Sequence, residues 1–353
     1  MRTQFANGIR HPDLYLWDAW SYQCDDLLHL FCLAIPRRDA EEKPIDPKNR
    51  NLFEFHIHHF ESGDLGVTWC DAGVHRRPGM ALPHDDANIW SGSITPIGSK
   101  LVEAYTGIRR VTEDRPFLQS LLLSVLDADA DAFATQAHCL LCPERDYGEI
   151  RASGYYLDAL DNLGSNRGEC DGAILAWRDP FLFTVEESVY MAFAAKSNAK
   201  QAVMGMARLT EDLSQAVLLP PISLPDASEF TQFEVPKVVY IGSLDKFILL
   251  AATTDRQSET QDEKEVAHHI RLYTAKSPLG PWVPCGRKSS VIHGVADLFG
   301  ATCLGFDEPN GRIMFIAPYT SNAPQELELT FAPRFFVDID QLGQEDKVFA
   351  TWS

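Results

Sequence analysis

The sequence has no long apolar run and no excess of basic residues. No segment approaches the roughly 18 apolar residues of a membrane-spanning helix, and residues 1–13 have no apolar core like that of a secretory signal. Acidic residues outnumber basic ones by 50 to 31, which gives a net charge of −19. This charge disfavours nucleic acids and anionic membranes as partners and is compatible with a neutral ligand such as a sugar. We therefore expect a cytoplasmic protein, of unspecified oligomeric state, with neither kind of partner.

Metal-site motifs are also scarce. Of eight cysteines, only Cys139 and Cys142 have CxxC spacing, and no second pair follows. We interpret the cysteines as reduced thiols, with zinc or redox chemistry at this pair as the alternative. If residues 56–59 form a strand, His56 and His58 share one face; we prefer a plain surface strand there to a zinc site. No cofactor is expected, and no metal is expected to be needed for catalysis.

Helical periodicity is weak and confined to the windows 128–138 and 210–217, whereas short β-like runs recur along the whole chain. Many short strands at even spacing predict a sandwich, a barrel or a propeller. Repeated hairpin signals with turn residues between apolar runs favour the blades of a propeller. These hairpins are predicted at residues 181–195, 238–252 and 303–317.

The polar segments 39–50 and 255–267 have the composition of surface loops rather than of domain linkers. No low-complexity segment divides the chain. We therefore predict an all-β fold with a single domain over residues 1–353.

An acid among large aromatic residues is the first candidate for chemistry. Asp18 lies between Trp17 and Trp20, shortly before the apolar run 27–35. A buried carboxylate without partners costs several kcal/mol or takes up a proton. Asp18 is therefore either a structural residue bonded to backbone N–H groups or a carboxylate at the floor of a sugar pocket with indole walls.

Two further motifs precede predicted strands. Trp90 and Ser91 place an indole beside a hydroxyl, for which a polar turn is the preferred interpretation when the motif is taken alone. Pro180 restricts Asp179 to an extended conformation, which aims its carboxylate in a fixed direction. The alternative for Asp179 is a structural ion pair with Arg178.

A third acid, Glu234, has the apolar neighbours Phe233 and Val235. Burial in such surroundings favours the protonated carboxyl that a general acid needs at neutral pH. An edge-strand Glu that points to water is the alternative. Together with Asp18 and Asp179, Glu234 gives three acids near predicted hairpins, and most glycosidases use a pair of such carboxylates.

In their order along the chain, these motifs resemble the levansucrase and inulosucrase family, glycoside hydrolase family 68. The family carries Trp-Asp-Ser-Trp, Trp-Ser-Gly-Ser, Arg-Asp-Pro and a Glu before a strand. The matching segments are Trp17-Asp18-Ala19-Trp20, Trp90-Ser91-Gly92-Ser93, Arg178-Asp179-Pro180 and Glu234.

The resemblance implies a five-bladed β-propeller that acts on a small carbohydrate by a retaining mechanism. It assigns Asp18 as the nucleophile, Asp179 as the stabiliser of the transition state and Glu234 as the acid/base. The candidate substrate-binding residues are Trp17, Trp90, Ser91 and Arg178.

The chain departs from the family near the acid/base. Val235 replaces an arginine and Gln232 replaces an acid, while Glu234-Val235-Pro236 is closer to the Glu-Cys-Pro of the invertases, family 32. Arg256 is an offset candidate for a sugar-site arginine. Two other functions stay open: an inverting arabinosidase or xylosidase of the family 43 type, and a sugar-binding propeller without turnover.

Overall fold

The computed structural model describes residues 2–126, 137–165, 176–258 and 261–352. Its described part consists mainly of β-strands, in five antiparallel sheets of four or five strands that follow one another along the chain. Blade 1 contains β1 (Gln4–Ala6), β2 (Leu14–Cys24), β3 (Leu27–Pro36), β4 (His56–Ser62) and β5 (Thr68–Arg76). Blade 2 contains β6 (Asn88–Ile97), β7 (Lys100–Arg109), β8 (Leu118–Leu126) and β9 (His138–Leu141).

Blades 3 to 5 continue the same plan. Blade 3 contains β10 (Arg178–Val185), β11 (Ser188–Asn198), β12 (Gln201–Leu209) and β13 (Ala216–Ile222). Blade 4 contains β14 (Gln232–Ile241), β15 (Lys246–Thr254), β16 (His268–Ala275) and β17 (Val283–Pro284). Blade 5 contains β19 (Thr302–Asp307), β20 (Arg312–Ile316), β21 (Phe335–Asp338) and β23 (Thr351–Trp352). A separate parallel pair consists of β18 (Ile292–His293) and β22 (Val348–Phe349).

Helices are few and short in the described residues. The α-helix α1 spans Tyr147–Ala152, and none of the described helices is long and apolar enough to cross a membrane. The short 3-10 helices are Pro47–Leu52, Leu160–Asn162, Ala227–Glu229, Gly242–Leu244, Glu263–Glu265, Glu308–Asn310 and Ile339–Gln341.

The three predicted hairpins are confirmed as β10–β11, β14–β15 and β19–β20. The weak helix prediction at 210–217 is wrong. Asp212 accepts hydrogen bonds from the Thr210 hydroxyl and the Ser214 N–H, and such local bonds favour a turn over a helix. Most of the window 128–138 lies outside the described residues.

The sheets form a closed ring. The inner strands β2, β6, β10, β14 and β19 pack on one another in that order, and β19 packs back on β2. The closure joins the two ends of the chain, because Ile9 and Phe331 exchange backbone hydrogen bonds of 3.1 and 3.0 Å. Gly8 is required there, since it has φ +95° and a Cβ would lie 2.3 Å from the Phe331 carbonyl oxygen. The predicted five-bladed propeller is thus confirmed.

Among the described residues, the hydrophobic core consists of five clusters, one between each pair of adjacent blades. Along β15, Ile248 and Leu250 pack toward blade 5, whereas Leu249 packs toward blade 3. Both faces of such a strand are buried, so its sequence is a continuous apolar run rather than an alternating one.

The prediction of a surface strand for the histidine-rich segment is wrong. His56 and His58 are each only 4% exposed, because β4 lies inside blade 1 between β3 and β5. His58 is satisfied there by hydrogen-bond contacts of 2.8 Å to Asp71 and 3.3 Å to His56.

The interface between blades 1 and 2 contains a buried ion pair. Arg76 and Glu103 are both fully buried and lie 2.5 Å apart, and His75 lies 3.1 Å from the other oxygen of Glu103. Burial opposes ionisation of Glu103, but Arg76 and His75 outweigh it and lower its pKa to about 2. The ion pair therefore contributes stability above about pH 4.5 that is lost as the pH falls toward 2.

We expect Glu103→Gln to lower the free energy of unfolding by about 3–5 kcal/mol at pH 7, because it leaves Arg76 as an uncompensated buried charge. The matched control is Glu54→Gln. Glu54 and its partner Arg77 are both 58% exposed, so this change should cost less than about 1 kcal/mol. Chemical denaturation of both variants measures the difference, and equal stabilities would contradict this interpretation.

Candidate active site

A bulge interrupts the inner strand of each of blades 1 to 4. In β2, β6, β10 and β14 the register shifts at Asp18, at Ser91, at Asp179-Pro180 and at Val235-Pro236. Asp18, Asp179 and Val235 have φ values of +47°, +61° and +44°. Non-glycine residues rarely adopt this conformation, and strained bulges of this kind cluster at functional sites.

Residues at or beside these bulges line one pocket of about 570 Å³ at the centre of the ring. This volume is within the range of small-molecule sites. All seven residues selected from the sequence line the pocket: Trp17, Asp18, Trp90, Ser91, Arg178, Asp179 and Glu234. Trp20 does not line it; that indole is 1% exposed and packs in the core between blades 1 and 2.

Asp18 is held by a side chain from the neighbouring blade. The Ser91 hydroxyl donates a 2.6 Å hydrogen bond to Asp18 Oδ2. The motif at Ser91 lies within β6, so its interpretation as a polar turn is wrong. Burial raises the pKa of Asp18, and the Ser91 hydrogen bond opposes this shift. Gly300 closes the other side, since a Cβ there would lie 2.8 Å from Asp18 Oδ1. Asp18 is thus a positioned carboxylate beside the pocket.

Asp179 lies deeper and is 5% exposed. It accepts a 3.0 Å hydrogen bond from the Val235 N–H, and its own N–H donates to the Thr106 hydroxyl at 2.8 Å. Burial raises the pKa of Asp179 to about 7, with Arg178 opposing the shift. The Arg178 Nε lies 3.7 Å from Asp179, so the predicted ion pair is present within the pocket wall.

Glu234 faces the pocket rather than bulk water. Its side chain is 24% exposed and lies 3.4 Å from Arg178 Nη2, while its neighbours Phe233 and Val235 are buried. Glu229, the alternative acid nearest in sequence, does not line the pocket. Glu229 is 58% exposed and pairs with Arg271 at 2.9 Å.

Sequence reasoning missed Lys237, which is 2% exposed. Its Nζ has no hydrogen-bond partner among the described residues. Burial lowers its pKa to about 7, while Asp18 and Asp179 oppose that shift. The bulge explains the omission. In a regular strand, residues three apart point to opposite faces of the sheet. Because of the bulge, Glu234 and Lys237 pair with Ala252 and Leu250, so both lie on the same face.

Both polar loops predicted from the sequence contribute to the pocket. The first loop supplies Lys48 and Arg50, and the second supplies Arg256 and Gln261. Gln232, at the family's acidic position, also lines the pocket.

We expect Asp179→Asn to stabilise the fold while removing activity. In the folded state the raised pKa makes ionised Asp179 costly, so the wild-type protein loses stability as the pH rises from about 4 to 7. Asn accommodates the positive φ and can accept the Val235 hydrogen bond. The gain should reach about 1–4 kcal/mol at pH 8 and vanish below pH 4. Thermal melts across this range measure it; a gain confined to acid pH would contradict the assignment.

The fold, but not the sequence as a whole, is similar to that of known proteins. No protein-family model and no curated protein sequence matches the chain. The inulosucrase from Halalkalicoccus jeotgali bound to kestose superposes with a TM-score of 0.69 at 17% identity, over 99% of this chain and 90% of that one.

Two levansucrase structures are also similar to this chain. A Bacillus subtilis levansucrase variant in complex with oligosaccharides gives a TM-score of 0.61 at 14% identity, over 98% and 90% of the two chains. A levansucrase complexed with sucrose gives 0.63 at 15% identity, over 96% and 86%. At these identities the likeness establishes the shared propeller fold, as the sequence motifs predicted.

Proposed function

We propose that this chain is a retaining glycoside hydrolase or transglycosylase that acts on β-fructofuranosides. The observation that carries the proposal is the convergence of Asp18, Asp179 and Glu234 in one central pocket, each at or beside an inner-strand bulge. The positive φ values of Asp18, Asp179 and Val235 are the backbone strain that accompanies this arrangement.

In the proposed mechanism, Asp18 attacks the anomeric carbon of the fructosyl group and forms a covalent ester. Glu234 gives its proton to the departing oxygen and then removes a proton from water or an acceptor sugar, which cleaves the ester. The buried Asp179 carboxylate stabilises the positive charge that develops on the ring. The Ser91 hydrogen bond supports the ionised form of Asp18 that attack requires.

Sucrose or fructan-like donors are the proposed substrates. Support comes from the similar structures, which are described as bound to kestose, oligosaccharides and sucrose. Trp17 and Trp90 supply aromatic surface for the sugar, and Arg178 supplies hydrogen-bond donors. The chain differs from that family next to the proposed acid/base, because Val235 follows Glu234 where the family has an arginine.

The test is incubation with sucrose, inulin, levan and aryl arabinosides, followed by chromatographic separation of the products. Release of fructose or formation of fructo-oligosaccharides is expected. Cleavage of arabinosides alone would favour the family 43-type enzyme, and binding of sugars without turnover would favour a sugar-binding propeller.

A further inference from the structure

Two imidazoles and a carboxylate converge on blade 1 outside the pocket. His29 pairs in register with Glu61, and His59 with Phe31, so the three polar side chains share one face of β3 and β4. His29 Nδ1 lies 3.0 Å from His59 Nε2. One possible ligand atom from each of His29, His59 and Glu61 lies within 4.8 Å of the other two. None of the three residues lines the central pocket.

Aromatic stacking fixes both imidazole rings. Tyr22 stacks on His29 with centroids 4.6 Å apart and an interplanar angle of 11°. Phe31 stacks on His59 at 4.4 Å and 6°. The two rings are therefore held in place by stacked aromatic neighbours, which is the preorganisation that a binding site needs.

The contact between the two rings already uses a lone pair. Across the 3.0 Å between His29 Nδ1 and His59 Nε2, one ring donates its N–H and the other accepts with its lone pair. A lone pair on an imidazole nitrogen is also what a metal ligand supplies.

The separation of the nitrogens also fits a metal. Two nitrogens bound at 2.0–2.1 Å to a tetrahedral zinc ion lie about 3.3 Å apart. The observed 3.0 Å needs only a small outward shift, and the ring that donates the present hydrogen bond moves its proton to its other nitrogen. Glu61 is paired with Arg2 at 2.5 Å, but Arg2 is 61% exposed, so water can replace it at little cost.

We propose that His29, His59 and Glu61 form an accessory site for a divalent transition-metal ion, with zinc as the best-matched ion. The ion would be held by His29 Nδ1, His59 Nε2 and a Glu61 oxygen, with water in the fourth position. Its nitrogen-rich donor set favours zinc, copper or nickel over magnesium or calcium.

A second cluster, His11, His58 and Asp71, provides a contrast. The Asp13 N–H donates a 3.1 Å hydrogen bond to His11 Nδ1, so the proton of neutral His11 resides on Nε2. That nitrogen faces Asp71 Oδ2 at 3.1 Å and donates to it. Metal binding through His11 Nε2 would break the backbone bond, so this cluster is a satisfied hydrogen-bond network.

The experiment uses the full chain after treatment with a chelator. Zinc binding is measured by titration calorimetry, and cobalt binding by the visible absorption that is typical of tetrahedral sites. We expect one ion per chain. His29→Gln and Glu61→Gln should each weaken binding at least about tenfold, whereas the matched control His11→Gln should leave it unchanged.

Three results would overturn the proposal: no saturable zinc binding, unchanged affinity in both ligand variants, or loss of binding in His11→Gln alone. Circular dichroism establishes that each variant is folded before it is titrated. None of these measurements uses fructoside turnover, so they stand apart from the proposed function. Because the site lies outside the pocket, turnover should survive the chelator; turnover lost to it and restored by zinc would place the ion in catalysis instead.

Discussion

Replacing Asp18 with Asn should reduce fructoside turnover by about 10⁴-fold or more. Asn preserves the shape of the side chain and tolerates the φ of +47°, but its amide cannot form the covalent ester. The melting temperature should equal or exceed that of the wild type at pH 7, because burial raises the pKa of Asp18 and makes its ionised form costly. Steady-state assays and thermal melts measure both effects.

Two controls separate the nucleophile from a structural role. Ser91→Ala removes only the 2.6 Å hydrogen bond to Asp18, which should cost about 1.5–3 kcal/mol of transition-state stabilisation, or roughly 10–150-fold in rate. Added azide should restore turnover of an Asp18→Gly variant, because the missing side chain leaves space for the anion, and should yield a fructosyl azide of inverted configuration. A large fall in melting temperature with activity retained would identify Asp18 as a structural residue.

Replacing Glu234 with Gln should affect donors according to their leaving groups. For natural sugars we expect a loss of about 10²–10⁴-fold, the usual contribution of general acid catalysis. A donor that releases fluoride needs no proton, so its first step should be largely spared. The second step still lacks its base, so the covalent intermediate should accumulate. Rapid-quench kinetics should therefore show a burst of fluoride followed by near-zero turnover.

The matched control is Glu229→Gln. Glu229 lies five residues earlier, is 58% exposed and pairs with Arg271 outside the pocket. Its replacement should leave the rates on all donors unchanged. Equal losses on every donor with no burst in Glu234→Gln would make Glu234 a binding or structural residue.

The sequence predicted the ring of blades because the physical signals for hairpins are local. Gly242 and Asp245 lie in the connection between β14 and β15, and apolar runs flank it on both sides. Turn chemistry of this kind depends on only a few adjacent residues. The seven pocket residues were found because their motifs occur in the order of a known family, rather than because any single motif was decisive.

The backbone geometry of the site could not be predicted in the same way. Proline at 180 predicts an extended Asp179, yet its φ is +61°, because the bulge in β10 imposes the local conformation. A bulge depends on the register with a neighbouring strand, which no local pattern encodes. For the same reason Lys237 escaped notice, and strand alternation alone could not reveal that His56 and His58 lie inside a blade.

Transfer to methanol tests the central claim most directly, because the product keeps a record of the donor sugar and of the stereochemistry. The protein is incubated with sucrose in aqueous methanol, and the methyl fructoside is examined by nuclear magnetic resonance. Two displacements, first by Asp18 and then by methanol, predict that the β-anomer is the sole methyl fructofuranoside formed. Formation of the methyl α-anomer would contradict the covalent mechanism, and absence of both free fructose and any fructoside product from a folded protein that binds sucrose would contradict the proposed activity.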